Sequence, residues 1–554
     1  ITTANTTLYI QGINNFTGKI DNILVKEVSN IGDFTFSRGS NLAATRVGPT
    51  GLIEKGRENL LLQSNQFDTT WVLTDSINLT SGQTGYDGSS DAWKLENTLS
   101  AKYLHQSIAV SGVQTISFYA KSGTLDWAFI LINSSNVPRV YFDLQNGLVG
   151  SELGSVIDSK IESVDATGWY RISITFNETI SQIRIYPAAA DNDITGTGSI
   201  YIQDAQLEIG LAATDYIESG ATTGKAGLLE DEPRLDYSGG ATCPSLLLEP
   251  SRTNLVPFSE YWKGYFTIDT DVTISVNVAT SPEGVQNAGR LKYDLASRSM
   301  YKSAMGLTGE HSVSFWVKGD GSNIGKTFNL RLQGTSIDQN IPITLTSDWV
   351  RVEAQTNGLN ILELNNRNST TIDTGSLLLY GFQIEQGSYP TSYIPSHSGG
   401  SVTRGYDNAN LLNIDTNIVD ITGDFTFFVD NTGSLIKGTE VFHYFIVLWW
   451  DAVTNIRYYS TSNGSWYYRP DNAYAGHTNS VGKQIIKYEN GVFYHFLNGN
   501  KSASTLTMAT TSSLSQIQFF ANTGGRAGYL DIKQALLFDT ALSDAECIAL
   551  TKLD

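Results

Sequence analysis

The chain repeats itself at the scale of a whole domain. Glu58-Asn59-Leu60-Leu61-Leu62-Gln63-Ser64, running on to Trp71, returns as Thr253-Asn254-Leu255-Val256-Pro257-Phe258-Ser259, running on to Trp262. Gln114-Thr115-Ile116-Ser117-Phe118-Tyr119-Ala120-Lys121 returns as His311-Ser312-Val313-Ser314-Phe315-Trp316-Val317-Lys318, and Gly168-Trp169-Tyr170-Arg171-Ile172 as Asp348-Trp349-Val350-Arg351-Val352. Last, Ser199-Ile200-Tyr201-Ile202 with Gln206-Leu207-Glu208 and Asp215-Tyr216-Ile217 matches Ser376-Leu377-Leu378-Leu379 with Gln383-Ile384-Glu385 and Ser392-Tyr393-Ile394. Four matches in one order identify two copies of one unit, the second shorter between its second and third landmarks. The spacing far exceeds the roughly 20–50 residues of solenoid or propeller repeats, so each copy must close its own core. A parallel β-helix is disfavoured on the same ground.

Thr115 to Tyr119 and Arg171 to Phe176 alternate apolar and polar residues, the period of strands with one buried face. Before the C-terminus, no window of a dozen residues carries apolar residues at helical spacing without Gly, Pro or β-branched interruptions. Aromatics reach 11%, while charged residues are 16% against a usual value of about 25%. The fold class is therefore all-β: tandem antiparallel β-sandwiches of jelly-roll type. The joints repeat too, Gly51-Leu52-Ile53-Glu54 before Arg57-Glu58-Asn59-Leu60 and Leu246-Leu247-Leu248-Glu249 before Arg252-Thr253-Asn254-Leu255. Their apolar content predicts structured connectors and a semi-rigid rod. Residues 7–28 look like the closing strands of a preceding sandwich, which leads us to expect an N-terminally longer polypeptide, anchored on that side.

The expected organisation is a remnant over 1–30, a connector over 31–58, sandwich copies over 59–219 and 254–396 joined by a connector over 220–253, and a further unit over 397–554. In that last unit, Glu489-Asn490-Gly491 is a hairpin signal, because Asn-Gly supplies positive φ at low strain, and a second Asn-Gly, Asn498-Gly499, ends the strand that follows. Ser543 with Glu546 three residues later has the capping-box spacing of one short C-terminal helix.

A net charge of −19 argues against nucleic acid and anionic lipid as partners. The most apolar stretch, Val441 to Trp450, is far shorter than the roughly 20 residues that span a bilayer, so no membrane insertion is expected. The two cysteines, Cys243 and Cys547, lie in different units, and the architecture does not depend on disulfides.

The C-terminal unit, through KYENGVFYHFLNGN (Lys487 to Asn500) and QALLFDTALSDAECIAL (Gln534 to Leu550), resembles the laminin G-like or concanavalin A-like lectin sandwich. The two copies, through NLLxxS…W, the central SFxxK, the GWYR-like strand and the closing Gln-x-Glu, resemble carbohydrate-binding-module jelly rolls. Such modules recur in tandem in bacteriophage fibres and other virion surface proteins, and the connector from Ser37 to Leu61 is the most phage-like part. The resemblance implies a non-enzymatic tail or head fibre on the virion surface, contacting host-surface glycans and other virion proteins. It further implies a homo-oligomer, a trimer by analogy. The alternatives are a purely structural decoration or shaft protein, a secreted bacterial adhesin, or a polysaccharide depolymerase.

Sugar sites present aromatic faces to pyranose rings beside polar side chains for the hydroxyls. Trp466, Tyr468, Arg469, Asp471, Asn472 and Tyr474 have this chemistry, with Trp466 and Tyr468 on one strand face by period 2, and the competing reading is sandwich packing or a subunit contact. Trp71/Trp262 and Trp169/Trp349 recur at equivalent positions and are expected to be scaffold, as is at least one of Trp449 and Trp450. Asp191, Asn192 and Asp193, ahead of Gly196 and Gly198, offer hard oxygens to a structural calcium ion, while the same residues are ordinary turn formers. No other cofactor is expected. The six histidines are scattered, and no zinc-protease, nucleophile-elbow or phosphate-loop motif occurs, so no catalytic residue is assigned.

Overall fold

A computed structural model of the chain describes residues 35–39, 42–164, 166–334, 337–367, 374–412, 423–431, 443–450, 455–460, 465–469, 473–475, 481–507, 514–519 and 530–553. The strands expected over 7–28 lie outside these. Among the described residues the sheets are antiparallel throughout and the single α-helix is Asp544–Thr551.

The first sandwich is built on two long strands, Leu104–Ser122 and Trp169–Ala188, paired from Lys121 opposite Trp169 to Leu104 opposite Ile185, with a register shift after Ile180. Beyond the shift, Trp169–Ala188 also pairs with Trp127–Asn133, followed by Arg139–Asp143 and Leu148–Leu153. The other half carries Val156–Ser163 on one side and Gly198–Ile209, Ala92–Asn97 and Ile77–Gln83 on the other. With the short strand Val72–Leu73, which pairs with Leu104 and His105, ten strands form one sheet folded over itself. Alternate residues (Ile116, Phe118, Ile130, Ile132, Ile183, Ile185) are shut between the halves.

In the second sandwich the long strands are interrupted. Ser299–Lys302 and Leu307–Gly319 take the place of one, Val350–Leu359 and Ile361–Asn365 of the other, and the layers become two five-stranded sheets around Trp262, Phe315, Leu330, Leu364 and Phe382. The C-terminal sandwich packs a seven-stranded sheet on a five-stranded one around Phe425, Phe427, Leu448, Trp450 and Phe493. The helix lies on the far side of the five-stranded sheet, with Cys547 against Phe428, Ile485 and Phe496. Its capping box forms as expected, Glu546 N–H donating to Ser543 Oγ and Ser543 N–H to the Glu546 carboxylate. Both Asn-Gly turns are two-residue hairpin loops with positive φ at each position, 52° and 80° at Asn490-Gly491 and 49° and 79° at Asn498-Gly499.

The repeated motifs build one polar clasp twice. Asn59 Nδ2 donates to the carbonyls of Ala205 and Ile217, while its Oδ1 accepts from Leu61 and Leu207 N–H; Asn254 does the same with Phe382, Ile394, Val256 and Ile384. Ser64 meets the Tyr216 hydroxyl and Ser259 that of Tyr393. Glu208 and Glu385 accept from the N–H and hydroxyl of Thr214 and Thr391. Buried amides and carboxylates are tolerated only when paired, and here the chain's opening and closing segments satisfy each other.

The segments between the sandwiches are strands. The hairpin of Thr45–Val47 and Ile53–Asn59 docks on the second sandwich, where Ile53 N–H donates to the Pro282 carbonyl and Lys55 Nζ lies 2.9 Å from Glu260 and 2.5 Å from Glu283. Thr35–Ser37 pairs with Asn408–Leu412, and Ser245–Leu248 with Leu530–Ile532, so both segments join the C-terminal unit. Between them lies a buried ionic knot: Arg234 bridges Glu249 (2.8 Å) and Asp407, Arg404 reaches Glu249 (2.8 Å), and Arg38 reaches Asp407 (3.0 Å).

Candidate functional site

The strands of the first sandwich that bury Ile130, Ile132, Ile183 and Ile185 present their alternate residues on the opposite face. Register arranges these in rows. Tyr141 stands opposite Phe129 and Phe129 opposite Tyr186, whose ring is 4.8 Å from that of Tyr103, giving an aromatic row across three strands that ends at Tyr103, just ahead of Leu104–Ser122. Phe129 stacks on Tyr141 at 4.2 Å and meets Tyr186 at 5.1 Å. Next to it runs Arg139–Leu131–Arg184–His105, each opposite the next, and on the other side Trp127 between Asp143 and Ala188.

Phe129, Tyr141 and Tyr186 are buried by this mutual packing, whereas Tyr103, Trp127, Leu131, Arg139, Arg184 and His105 are half-buried. The buried rings fix the positions of the open ones. The Arg184 guanidinium lies 4.8 Å over the Tyr103 ring and donates through Nε to Gln182. Burial, and then the neighbouring Arg184 charge, push the His105 pKa down. A platform of half-open aromatic rings flanked by fixed donors suits a ligand with alternating apolar faces and hydroxyls.

The same face of the second sandwich has different chemistry. Asn340–Arg331–Glu363–Tyr301 occupy the row of Arg139–Leu131–Arg184–His105, and Pro342–Asn329–Asn365–Ser299 the aromatic row. Arg331 is neutralised there by Asp338 (2.7 Å) and Glu363 (3.0 Å).

The six residues expected to bind glycan do not share one row. The strand Ser465–Arg469 sets Trp466 opposite Tyr458 and Tyr468 opposite Ile456, a core position, whereas Tyr474 stands opposite Tyr467 in the alternate row with Arg469. Asp471 and Asn472 lie outside the described residues. The candidate calcium ligands form a turn: Asp191 accepts from Ser151 N–H and Oγ–H (2.8 and 2.7 Å), Asn192 at φ 57° donates to Ser151, and Asp193 accepts from Thr195. These carboxylates serve separate partners, and among the described residues no three His, Cys, Asp or Glu side chains gather as a metal site. The contacts seen are those of the turn reading. Trp71, Trp169, Trp262 and Trp450 are buried in the scaffold, and Trp349 is half-buried with its indole N–H on the Thr280 carbonyl.

The aromatic face was not among the sequence candidates. Trp127 to Ile132 reads as a continuous apolar run, the pattern of a strand buried on both sides, and masks the alternation. The signal that identifies it is the difference between the copies on equivalent strands.

No family model matches the chain, and no curated protein matches it. Among solved structures, the tandem N-terminal CBM22 domains of Xyn10C from Paenibacillus barcinonensis are similar at 13% identity and a TM-score of 0.21, over 59% of this chain and 97% of that one. The arabinofuranosyltransferase AftD from mycobacteria is similar at 9% identity and a TM-score of 0.15, over 83% of this chain and 37% of that chain. At such scores neither superposition adds to the assignment, which rests on the strands themselves: the chain is a tandem of antiparallel β-sandwiches.

Proposed function

We propose that the protein is a non-catalytic adhesin of a bacteriophage surface, a tail or head fibre component, that holds host-surface glycans on the outward face of its first sandwich. The observation that carries the glycan reading is the row Tyr141–Phe129–Tyr186–Tyr103 with Trp127 beside it, on a scaffold whose twin has no aromatic residue in the equivalent row. Scaffold needs are shared by both copies and are met by the clasp and the two cores. An aromatic face in one copy only is what selection for a ligand leaves. Pyranose C–H faces stack on the half-open rings while Arg139, Arg184 and Gln182 reach the hydroxyls. Affinity per site is modest and is raised by several copies in a fibre, a homotrimer by analogy with other fibres. The virion assignment is supported by the phage-like connector and the tandem modules.

The test is adsorption of the full chain to host cells and to immobilised polysaccharides, with Tyr103→Ala plus Trp127→Ala as the binding variant. Saturable binding lost in a variant of unchanged melting temperature supports the reading. Binding that survives the double substitution contradicts it. Immunogold labelling of particles with antibody to the first sandwich tests the location, and unlabelled virions would refute it.

A further inference from the structure

Resting on that reading, we infer that the glycan held by the first sandwich is acidic: a uronic, sialic or comparable carboxylate-bearing sugar, whose anion is gripped between Arg139 and Arg184.

The argument starts from charge. The chain has 55 acidic residues against 36 basic ones, so an arginine on this surface meets a carboxylate unless something keeps carboxylates away. Most of the described arginines follow that rule: Arg290, Arg298, Arg331, Arg351 and Arg367 in the second sandwich all have acidic partners. Arg139 and Arg184 do not. Among the described residues neither has an ion-pair partner; Arg139 donates to the Val137 carbonyl at 3.3 Å and Arg184 to the Gln182 amide oxygen at 2.5 Å. Both stand in one row, flanking Leu131 on the strand between them, which places their backbones about 10 Å apart by strand spacing. In the free protein the Arg184 guanidinium rests over Tyr103 and Arg139 turns to the Val137 carbonyl; the separation is one that two arginine side chains span when they swing towards Leu131 on taking up the anion.

The nearby acids are committed elsewhere. Asp143 caps the Gln145 and Asn146 amides, Asp191 is held by Ser151 and Asp193 by Thr195, and none of the three forms an ion pair with either arginine. The row's fourth member, His105, has a buried Nδ1 with no hydrogen-bond partner, and burial and the Arg184 charge both disfavour its protonation. The twin sandwich makes the point by contrast: Glu363 stands where Arg184 stands, and Arg331 is closed off by two carboxylates. A guanidinium pair left open next to stacking rings matches a ring that carries a carboxylate, because arginine pairs with carboxylate through parallel N–H donors.

The experiment measures binding of the full chain to two sets of immobilised oligosaccharides. One is acidic (oligogalacturonate, oligosialate, alginate) and one neutral (xylan, mannan and dextran oligomers), each read at low and high salt. The variants are Arg139→Gln plus Arg184→Gln, Arg184→Lys, Trp127→Ala, and Arg331→Gln in the second sandwich, each checked by thermal unfolding. The inference expects binding confined to the acidic set, weakened by salt, reduced at least tenfold in the double glutamine variant, partly kept in Arg184→Lys and unchanged in Arg331→Gln. Neutral glycans bound as tightly, with the arginine variants unchanged, would overturn the acidic assignment while leaving the glycan reading intact. Undiminished binding in Trp127→Ala, or no binding to either set, would overturn the glycan reading itself.

Discussion

At the residue scale, the shared motifs explain themselves as stability. Asn59 and Asn254 each make four buried hydrogen bonds between the opening and closing strands of a sandwich, and no apolar side chain reproduces them. Asn59→Ala leaves two carbonyls and two amide N–H groups without partners and is expected to cost about 2–4 kcal/mol, as is Asn254→Ala in its own sandwich. Chemical denaturation checks this, and a loss below about 1 kcal/mol would mean that the clasp is not a stabilising unit. The repeat made these residues legible in the sequence as equivalent positions. Their partners were not legible, because Ala205 and Ile217 contribute backbone carbonyls, which carry no sequence signature.

At the scale of the element, alternation located the strands that have one polar face, such as Thr115 to Tyr119. It concealed those whose outward face is aromatic, and the stretch from Trp127 to Ile132 is the instructive failure. A strand with an aromatic outward face is apolar on both sides, so period 2 vanishes there. The C-terminal candidates rest on residue types, and register divides those that are described. Trp466 to Tyr474 is rich in sugar-binding residue types, yet the register of the two short strands sets Tyr474 opposite Tyr467 and not in the rows of Trp466 and Tyr468. The hairpin and cap signals succeeded because Asn-Gly turns and capping boxes are local: their physics is complete within four residues.

At the scale of the molecule, the connectors bind units that are distant in sequence. Breaking one partner of a buried ion network strands the others, and Glu249→Gln is expected to destabilise the joint by about 3–5 kcal/mol. Burial by itself would raise the Glu249 pKa, but Arg404 and Arg234 outweigh it and hold the carboxyl at about 2. Depressed relative to the unfolded chain, this group contributes stability that is present above about pH 4.5 and lost as pH falls towards 2. Unfolding followed from pH 6 to 2 should show this loss, with Glu249→Gln removing the part owed to Glu249; a variant with the same pH dependence as the parent would count against the joint. The central claim is that the two sandwiches share a scaffold and that only the first bears a ligand face. Hydroxyl-radical footprinting of the full chain with and without the tightest-binding oligosaccharide tests it most directly. The account predicts protection of Tyr103 and Trp127, with Tyr301 in the second sandwich unaffected. Protection confined to the second sandwich or to the C-terminal unit would contradict it.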